Sequence, residues 1–389
     1  MIDSQVLAAQ ARQHLQNRSV QPAQLHVLAG FDGFVDEICD VVDKRLDVDH
    51  YVRFETIAAY AERVAQAAGL SANIELVPRT IKLGGNGPIM ANSLVSYGFS
   101  LTYIGSVGVP SPHPVFQELA QRAKVIGIAD PGHTDALEFS DGKLMMGKLE
   151  PIKHVSWDNL MQHVPREELS RLFQQSALVA LVDWSILPRM TEIWQHLTQE
   201  FLPTLSLPRD LFFFIDLADP RKRTVEELQE ALHLIQAFRP FGRVIAGFNR
   251  NEADQVAAAL GVTPHSGVRL PLDELTERIG RALDLWATVV HPTEEAAAYA
   301  QGKTVRISGP YTPNPKLTTG AGDNFNAGLC TGLLLGLPLA EALLVGTATS
   351  GFYVRFGHSP SLDQLIDFLG IWTQQGVEAL DQVAAAARA

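Results

Sequence analysis

Two cysteines in 389 residues, Cys39 and Cys330, are too few for a disulfide framework or a cysteine-rich metal centre. The histidines are scattered, without the paired spacing that a zinc hydrolase needs. The chain has no C-x-x-C pair, no H-E-x-x-H, no G-x-S-x-G and no Walker A loop, which removes the dithiol, zinc-protease, serine-hydrolase and P-loop chemistries. No apolar run approaches the ~20 residues of a membrane span. The opening stretch, MIDSQVLAAQARQHLQNRSV, is amphipathic rather than a charged start followed by an apolar core. Basic residues do not cluster either: RKR at Arg221 to Arg223 is short and isolated, and the formal net charge of -12 argues against nucleic-acid and anionic-membrane partners. These absences point to a cytoplasmic protein with neither export nor anchor.

Apolar content is ample, at 46%, and it is arranged as short apolar runs followed by polar helices. The runs are Leu25–Phe31, Leu101–Ser106, Ala177–Trp184, Leu211–Leu217, Arg243–Asn249 and Leu285–His291. Helices are expected to about Val20, over Thr56–Ala68, through Trp194 and His196, over Val225–Ala237 and over Glu252–Leu260. Buried strands alternating with helices imply a doubly wound α/β fold, a mainly parallel sheet with helices on both faces. Loops are expected at Val262–Pro271 and Gly309–Lys316. Ile38 to Val52 alternates apolar and charged positions, and Asp130–Glu150 reads as a hairpin turning at Ser140-Asp141-Gly142. These two stretches, about 37–52 and 130–150, would form a small β lid that excludes water, or two ordinary surface hairpins. No composition shift marks a second core, so residues 1–389 read as one α/β domain.

The stretch that organises the chain is TTGAGDNFNAGLCTGLLLG, Thr318 to Gly336. Gly320, Ala321 and Gly322 let a backbone pass close to a bound group, and Asp323 and Asn324 stand where a helix would begin. Such a start offers unpaired N–H groups and the positive end of the helix dipole, so an anion belongs there. Asp323 beside it is the candidate base for a hydroxyl undergoing phosphorylation, or else a plain helix cap. Gly328, Gly332 and Gly336 recur every four residues and would give the helix a narrow face.

Two further groups stand at strand ends, where open α/β sheets collect ligands. Asp32 and Asp36 follow the first strand and can accept hydrogen bonds from sugar hydroxyls, although Asp32 could equally shape a turn with Gly33. LGGNGPIMAN from Leu83 provides Gly84 and Gly85 for close approach and Asn86 as donor and acceptor, followed by a helix with Ile89, Met90 and Leu94 facing inward. Asn249 and Glu252, three apart at a strand end, suit either a capping box or a sparse magnesium site.

GAGDNFNAG resembles the G-A-G-D-x-F-x-x-G signature of the ribokinase family, the phosphofructokinase-B type carbohydrate kinases. The resemblance implies a ribokinase-like fold, Gly320, Ala321 and Gly322 as the anion hole, and Asp323 as catalytic base. It further implies Asp36 with Gly84, Gly85 and Asn86 on the sugar, and Asn249 with Glu252 as the N-x-x-E motif serving Mg2+ through water. Thr319, His291 and Gly357 would flank the nucleotide, ATP or alternatively ADP, since GGNGPIMAN is also similar to ADP-dependent sugar kinases. The chain departs from the family pattern at HPTEEAAAYAQG, where Pro292 and Glu294 replace nucleotide-turn glycines and Glu294 and Glu295 would repel phosphates they faced. It departs again at Leu317, where an Asp associated with a monovalent cation is usual. The expected activity is phosphoryl transfer to a small sugar. A nucleoside acceptor and a non-catalytic sugar or nucleotide sensor are the alternatives, and a homodimer could form through the lid ribbon.

Overall fold

The computed structural model describes residues 3–263 and 269–387. Its strands are β1 His26–Gly30, β2 Phe34–Arg45, β3 Tyr51–Arg53, β4 Leu76–Gly84, β5 Ser100–Gly105, β6 Lys124–Gly127, β7 Gly132–Phe139, β8 Gly142–Lys148, β9 Ser176–Leu181, β10 Phe212–Asp216, β11 Arg243–Phe248, β12 Ala287–Val290, β13 Glu295–Ala300 and β14 Lys303–Ser308. Nine of them form one sheet in the order β14-β13-β12-β11-β10-β9-β1-β5-β6. It is parallel from β12 through β6, with an antiparallel hairpin, β13 and β14, at one edge.

Alternation along the strands divides the core into two layers. Val27, Ala29, Leu101, Tyr103, Leu178 and Ala180 face one side, with the helices Ser4–Gln16, Asn86–Ser96, Ala321–Leu334, Leu339–Phe356 and Leu362–Gln375. Leu28, Ile104, Val179 and Leu181 face the other, with Arg166–Gln175, Met190–His196, Val225–Ala237, Arg250–Ala259 and Leu272–Leu283. Period two in the strands and 3.6 in the helices thus meet on both faces, giving the doubly wound arrangement. The chain leaves β1 toward β5 and β6, then returns to β9 on the other side of β1. The topological switch point therefore lies between β1 and β9.

A second sheet, β3-β2-β7-β8 with β4 also paired to β2, brings together the two stretches expected to form a lid. It is larger than the two sequence stretches suggest, because β2 begins at Phe34 and β4 runs antiparallel to it, Phe34↔Gly84 through Val41↔Leu76. Phe54, Tyr60, Leu137 and Phe139 make a small apolar cluster on one side of this sheet. Asp36, paired with Lys82 and Thr134, is on the opposite side.

Two local expectations change, those for Gly336 and Ile89. The segment HPTEEAAAYAQG divides in two: His291, Pro292 and Thr293 border a cavity, whereas Glu295–Ala300 is a hairpin strand whose Glu295 pairs with Arg306 at 2.6 Å, and Glu294 is exposed. Gly336 lies past the Ala321–Leu334 helix at φ 81°, so the close face consists of Gly328 and Gly332, against Thr349 and Ala342. Ile89 is half-buried and abuts Gly320, whereas Met90 and Leu94 enter the core. The loop expected at Val262–Pro271 falls partly outside the described residues.

Candidate active site

The helix carrying the GAGD motif starts earlier than expected. Gly320, at φ 89°, is the N-cap of Ala321–Leu334, so Asp323 is the third helical residue and not the cap. A side chain at Gly320 would be strained there and would press on Ile89 and the Tyr353 hydroxyl. The Ala321 amide donates to the Thr318 carbonyl at 3.1 Å and that of Asn324 to Gly320 at 3.0 Å. Gly322 and Asp323 keep their first-turn amides without a backbone acceptor. Ala321, Gly322 and Asp323 line a cavity of about 520 Å3.

The same cavity is walled by Asn86, Asp216, Asn249 and Glu252 at the strand ends, by His291 to Thr293, by the Gly309–Pro313 loop, and by Thr347, Ser350, Gly351 and Val354 of the following helix. Asp323 is 9% exposed, and burial, then Asp216 and Asp32, push its carboxyl well above the usual range. Asp216, which the sequence reading passed over, accepts from Asn326 Nδ2 at 2.8 Å and from the Ala218 amide at 2.6 Å. Asn249 and Glu252 form a reciprocal capping box: Asn249 Oδ1 accepts from the Glu252 amide at 3.0 Å and Glu252 Oε2 from the Asn249 amide at 2.8 Å. Glu252 is nevertheless buried against the cavity, and burial followed by Asp216 raises its pKa to about 9. His291 stacks on Phe325, with ring centroids 4.3 Å apart, and burial lowers its pKa to about 4.

The residues expected on the acceptor side gather beside this cavity, next to the second sheet. The Asp32 Oδ1 accepts the Gly87 amide at 2.9 Å, and the Tyr103 hydroxyl donates to the Asp32 carbonyl at 2.6 Å. Burial raises the Asp32 pKa to about 7. Asp36 stands on β2 against Gly84, its pKa raised by burial and eased by Lys82 and by a Thr134 hydrogen bond. Gly85, at φ 99°, is the N-cap of Asn86–Ser96 and lies against Asp32 and Phe34. Asn86 reaches the cavity and so links the two groups. From β8 of the second sheet, Lys143 Nζ donates to Thr319 Oγ1 at 3.0 Å, beside the GAGD turn. Thr319 itself holds the Tyr353 hydroxyl through its carbonyl at 2.8 Å. Gly357 stands apart: it is the left-handed residue closing Leu339–Phe356, against Lys316, and is not among the cavity-lining residues.

Residues 3–372 match the family model of prokaryotic ketohexokinases. The chain belongs to the prokaryotic ketohexokinase family. It is 32% identical over 347 residues to a ketohexokinase of Haloferax volcanii, covering 88% of this chain and 90% of that one. Its fold is similar to phosphofructokinase-2 of Escherichia coli in complex with substrates and products (TM-score 0.60, 13% identity, 90% of this chain and 100% of the other). It is likewise similar to Arabidopsis thaliana ribokinase complexed with ribose and ATP (TM-score 0.59, 14% identity, 90% and 99%). Adenosine kinase from Sinorhizobium meliloti shares the fold at TM-score 0.60, 18% identity, and 89% and 98% coverage. The protein is a sugar kinase of the ribokinase type, a phosphotransferase with an alcohol group as acceptor. Among the described residues no helix is long and apolar enough to cross a membrane.

Proposed function

We propose that this kinase transfers the terminal phosphoryl group of ATP to a hydroxyl of a ketohexose, with Asp323 as the base. The observation that carries the reading is the position of Asp323: its carboxylate, the free first-turn amides and Asp216 with Glu252 all border one cavity. The ketohexokinase relative supplies the acceptor class.

In this reading the donor nucleotide occupies the cavity from the Gly309–Pro313 loop and the helix face at Thr347 and Gly351 down to the GAGD turn. The buried carboxylates of Asp216 and Glu252 are hard oxygen donors that suit Mg2+, which would be held there partly through water, with Asn249 fixing Glu252. Bound magnesium supplies positive charge against the phosphates. The amides of Gly322 and Asp323 receive the oxygens of the group in transfer. Asp323 takes the proton of the attacking hydroxyl, which Asp36, Asp32 and Asn86 orient from the lid side. Exposed Ile81, Met145 and Met146 on the lid fit pairing with a second copy, which sedimentation would detect.

An assay of phosphorylated product, with fructose, ribose and adenosine as acceptors and ATP or ADP as donor, tests the reading. Fructose with ATP and Mg2+ is expected to give the highest kcat/KM. Preference for adenosine, or for ADP as donor, would replace the respective part of it.

A further inference from the structure

One wall of the cavity beside Asp323 is the loop GPYTPNPK, residues 309–316. Pro310, Pro313 and Pro315 carry no amide hydrogen, so this loop cannot fasten itself as a strand or a helix would. Two of its remaining amides bond locally: that of Tyr311 donates to the Gly309 carbonyl at 3.0 Å and that of Asn314 to Thr312 Oγ1 at 3.3 Å. The carbonyls of Pro310 and Tyr311 are held from outside the loop, by Arg355. Its Nη1 donates to Pro310 at 2.7 Å and its Nη2 to Tyr311 at 3.0 Å.

Arg355 is 1% exposed. A guanidinium at that depth is costly unless its charge and its donors are matched. Nη1 also donates to the Gly351 carbonyl, one turn back in Leu339–Phe356, at 3.0 Å. The charge is matched from the last helix of the chain, Val377–Ala386, where Asp381 Oδ1 accepts from Arg355 Nε at 2.8 Å. One side chain therefore joins three segments, and its planar fork fixes the angle between them. A large apolar residue would fill the same space without burying a charge. It could not hold two carbonyls of a proline-rich loop in place. No residue of Val377–Ala386 is among the residues that line the cavity, so its reach to the loop runs through Arg355.

We propose that Arg355, braced by Asp381, is a positioning residue for the phosphoryl donor. It holds the Pro310–Tyr311 wall at the spacing the nucleotide needs, so that the last helix sets donor affinity without touching the donor. This rests on the kinase reading above, which puts the nucleotide in that cavity.

The experiment compares wild type with Asp381→Ala, Asp381→Glu and Arg355→Lys in the full chain, and adds Ser350→Trp, which fills the cavity from its Ser350 side. Calorimetry gives the affinities for a non-hydrolysable ATP analogue and for fructose, and melting temperature reports on folding. Asp381→Ala and Arg355→Lys are expected to weaken the analogue ~5- to 20-fold, the size of a lost hydrogen bond, with fructose affinity within twofold of wild type. Asp381→Glu should restore most of the loss. Because Asp381 is partly exposed, Asp381→Ala should melt within a few degrees of wild type and carries the test should Arg355→Lys fold poorly. Analogue affinity within twofold of wild type in Asp381→Ala overturns the proposal. So does a parallel loss of analogue and fructose affinity with a large drop in melting temperature, which marks the pair as structural. Ser350→Trp should abolish analogue binding. If it binds the analogue as wild type does, the nucleotide lies elsewhere and the donor reading fails together with the role of Arg355; if Ser350→Trp alone loses the analogue, the donor reading stands and only the positioning role falls.

Discussion

Gly84 and Asp36 face each other so closely across the paired strands β4 and β2 that a methyl group on Gly84 would lie 2.4 Å from the Asp36 carboxyl carbon. The glycine at this strand end is therefore a seat for one particular carboxylate. Gly84→Ala is expected to displace Asp36 and raise the sugar KM about tenfold or more, with ~1–3 kcal/mol lost from stability as an overpacked site. Separate KM values for sugar and ATP, together with urea unfolding, check this. An unchanged sugar KM would show that Asp36 does not touch the acceptor.

Lys143 joins the second sheet to the GAGD turn by its bond to Thr319, and it also pairs with Glu138 at 3.4 Å. Its side chain is partly exposed, so stability depends on it little. Lys143→Met is expected to lower kcat about tenfold, as befits loss of a cation beside the transferred charge, with a melting temperature close to wild type. Steady-state kinetics at saturating sugar and ATP measure it.

The buried Asp32 gives a signed pH effect. Its folded pKa of about 7 stands above the ordinary 3.8, so the folded protein binds the extra proton between those values. Its contribution to stability is whole below the ordinary pKa and is lost as pH rises through about 7. At ~1.4 kcal/mol per pKa unit the loss is of order a few kcal/mol. His291, lowered to about 4, works in the opposite sense: its contribution is lost as pH falls below 6.5. The Asp32→Asn variant isolates the first effect. Its melting temperature should match wild type near pH 4 and exceed it increasingly up to neutral pH. A constant difference across that range would refute the assignment.

Sequence pattern revealed those parts of the molecule where local chemistry and tertiary placement agree. The Val225–Ala237 helix has its Thr224–Glu227 capping box written in the chain, and its bounds match expectation. β1, β10 and β11 are apolar runs buried as such. The GAGD turn was legible because glycine, alanine and a first-turn carboxylate have few other uses in that order. β4 was hidden because Leu76–Gly84 contains Pro78 and is largely exposed, so it lacks the alternation of a half-buried strand. β13 was hidden because its alanines have low strand preference and become a strand only by pairing with β12 and β14. Asp216 reads as the polar end of a strand. Its reach toward Asn326 arises only when β1, β9 and β10 are brought side by side.

The central claim concerns one proton. Asp323→Asn keeps the size and hydrogen-bonding reach of the side chain but removes its capacity as a base, so the decisive quantity is kcat for fructose phosphorylation at saturating ATP and Mg2+. A fall of ~100- to 10,000-fold, with fructose and nucleotide affinities within a few-fold of wild type, is the result expected for loss of a general base. Turnover in the variant equal to that of wild type would contradict the account.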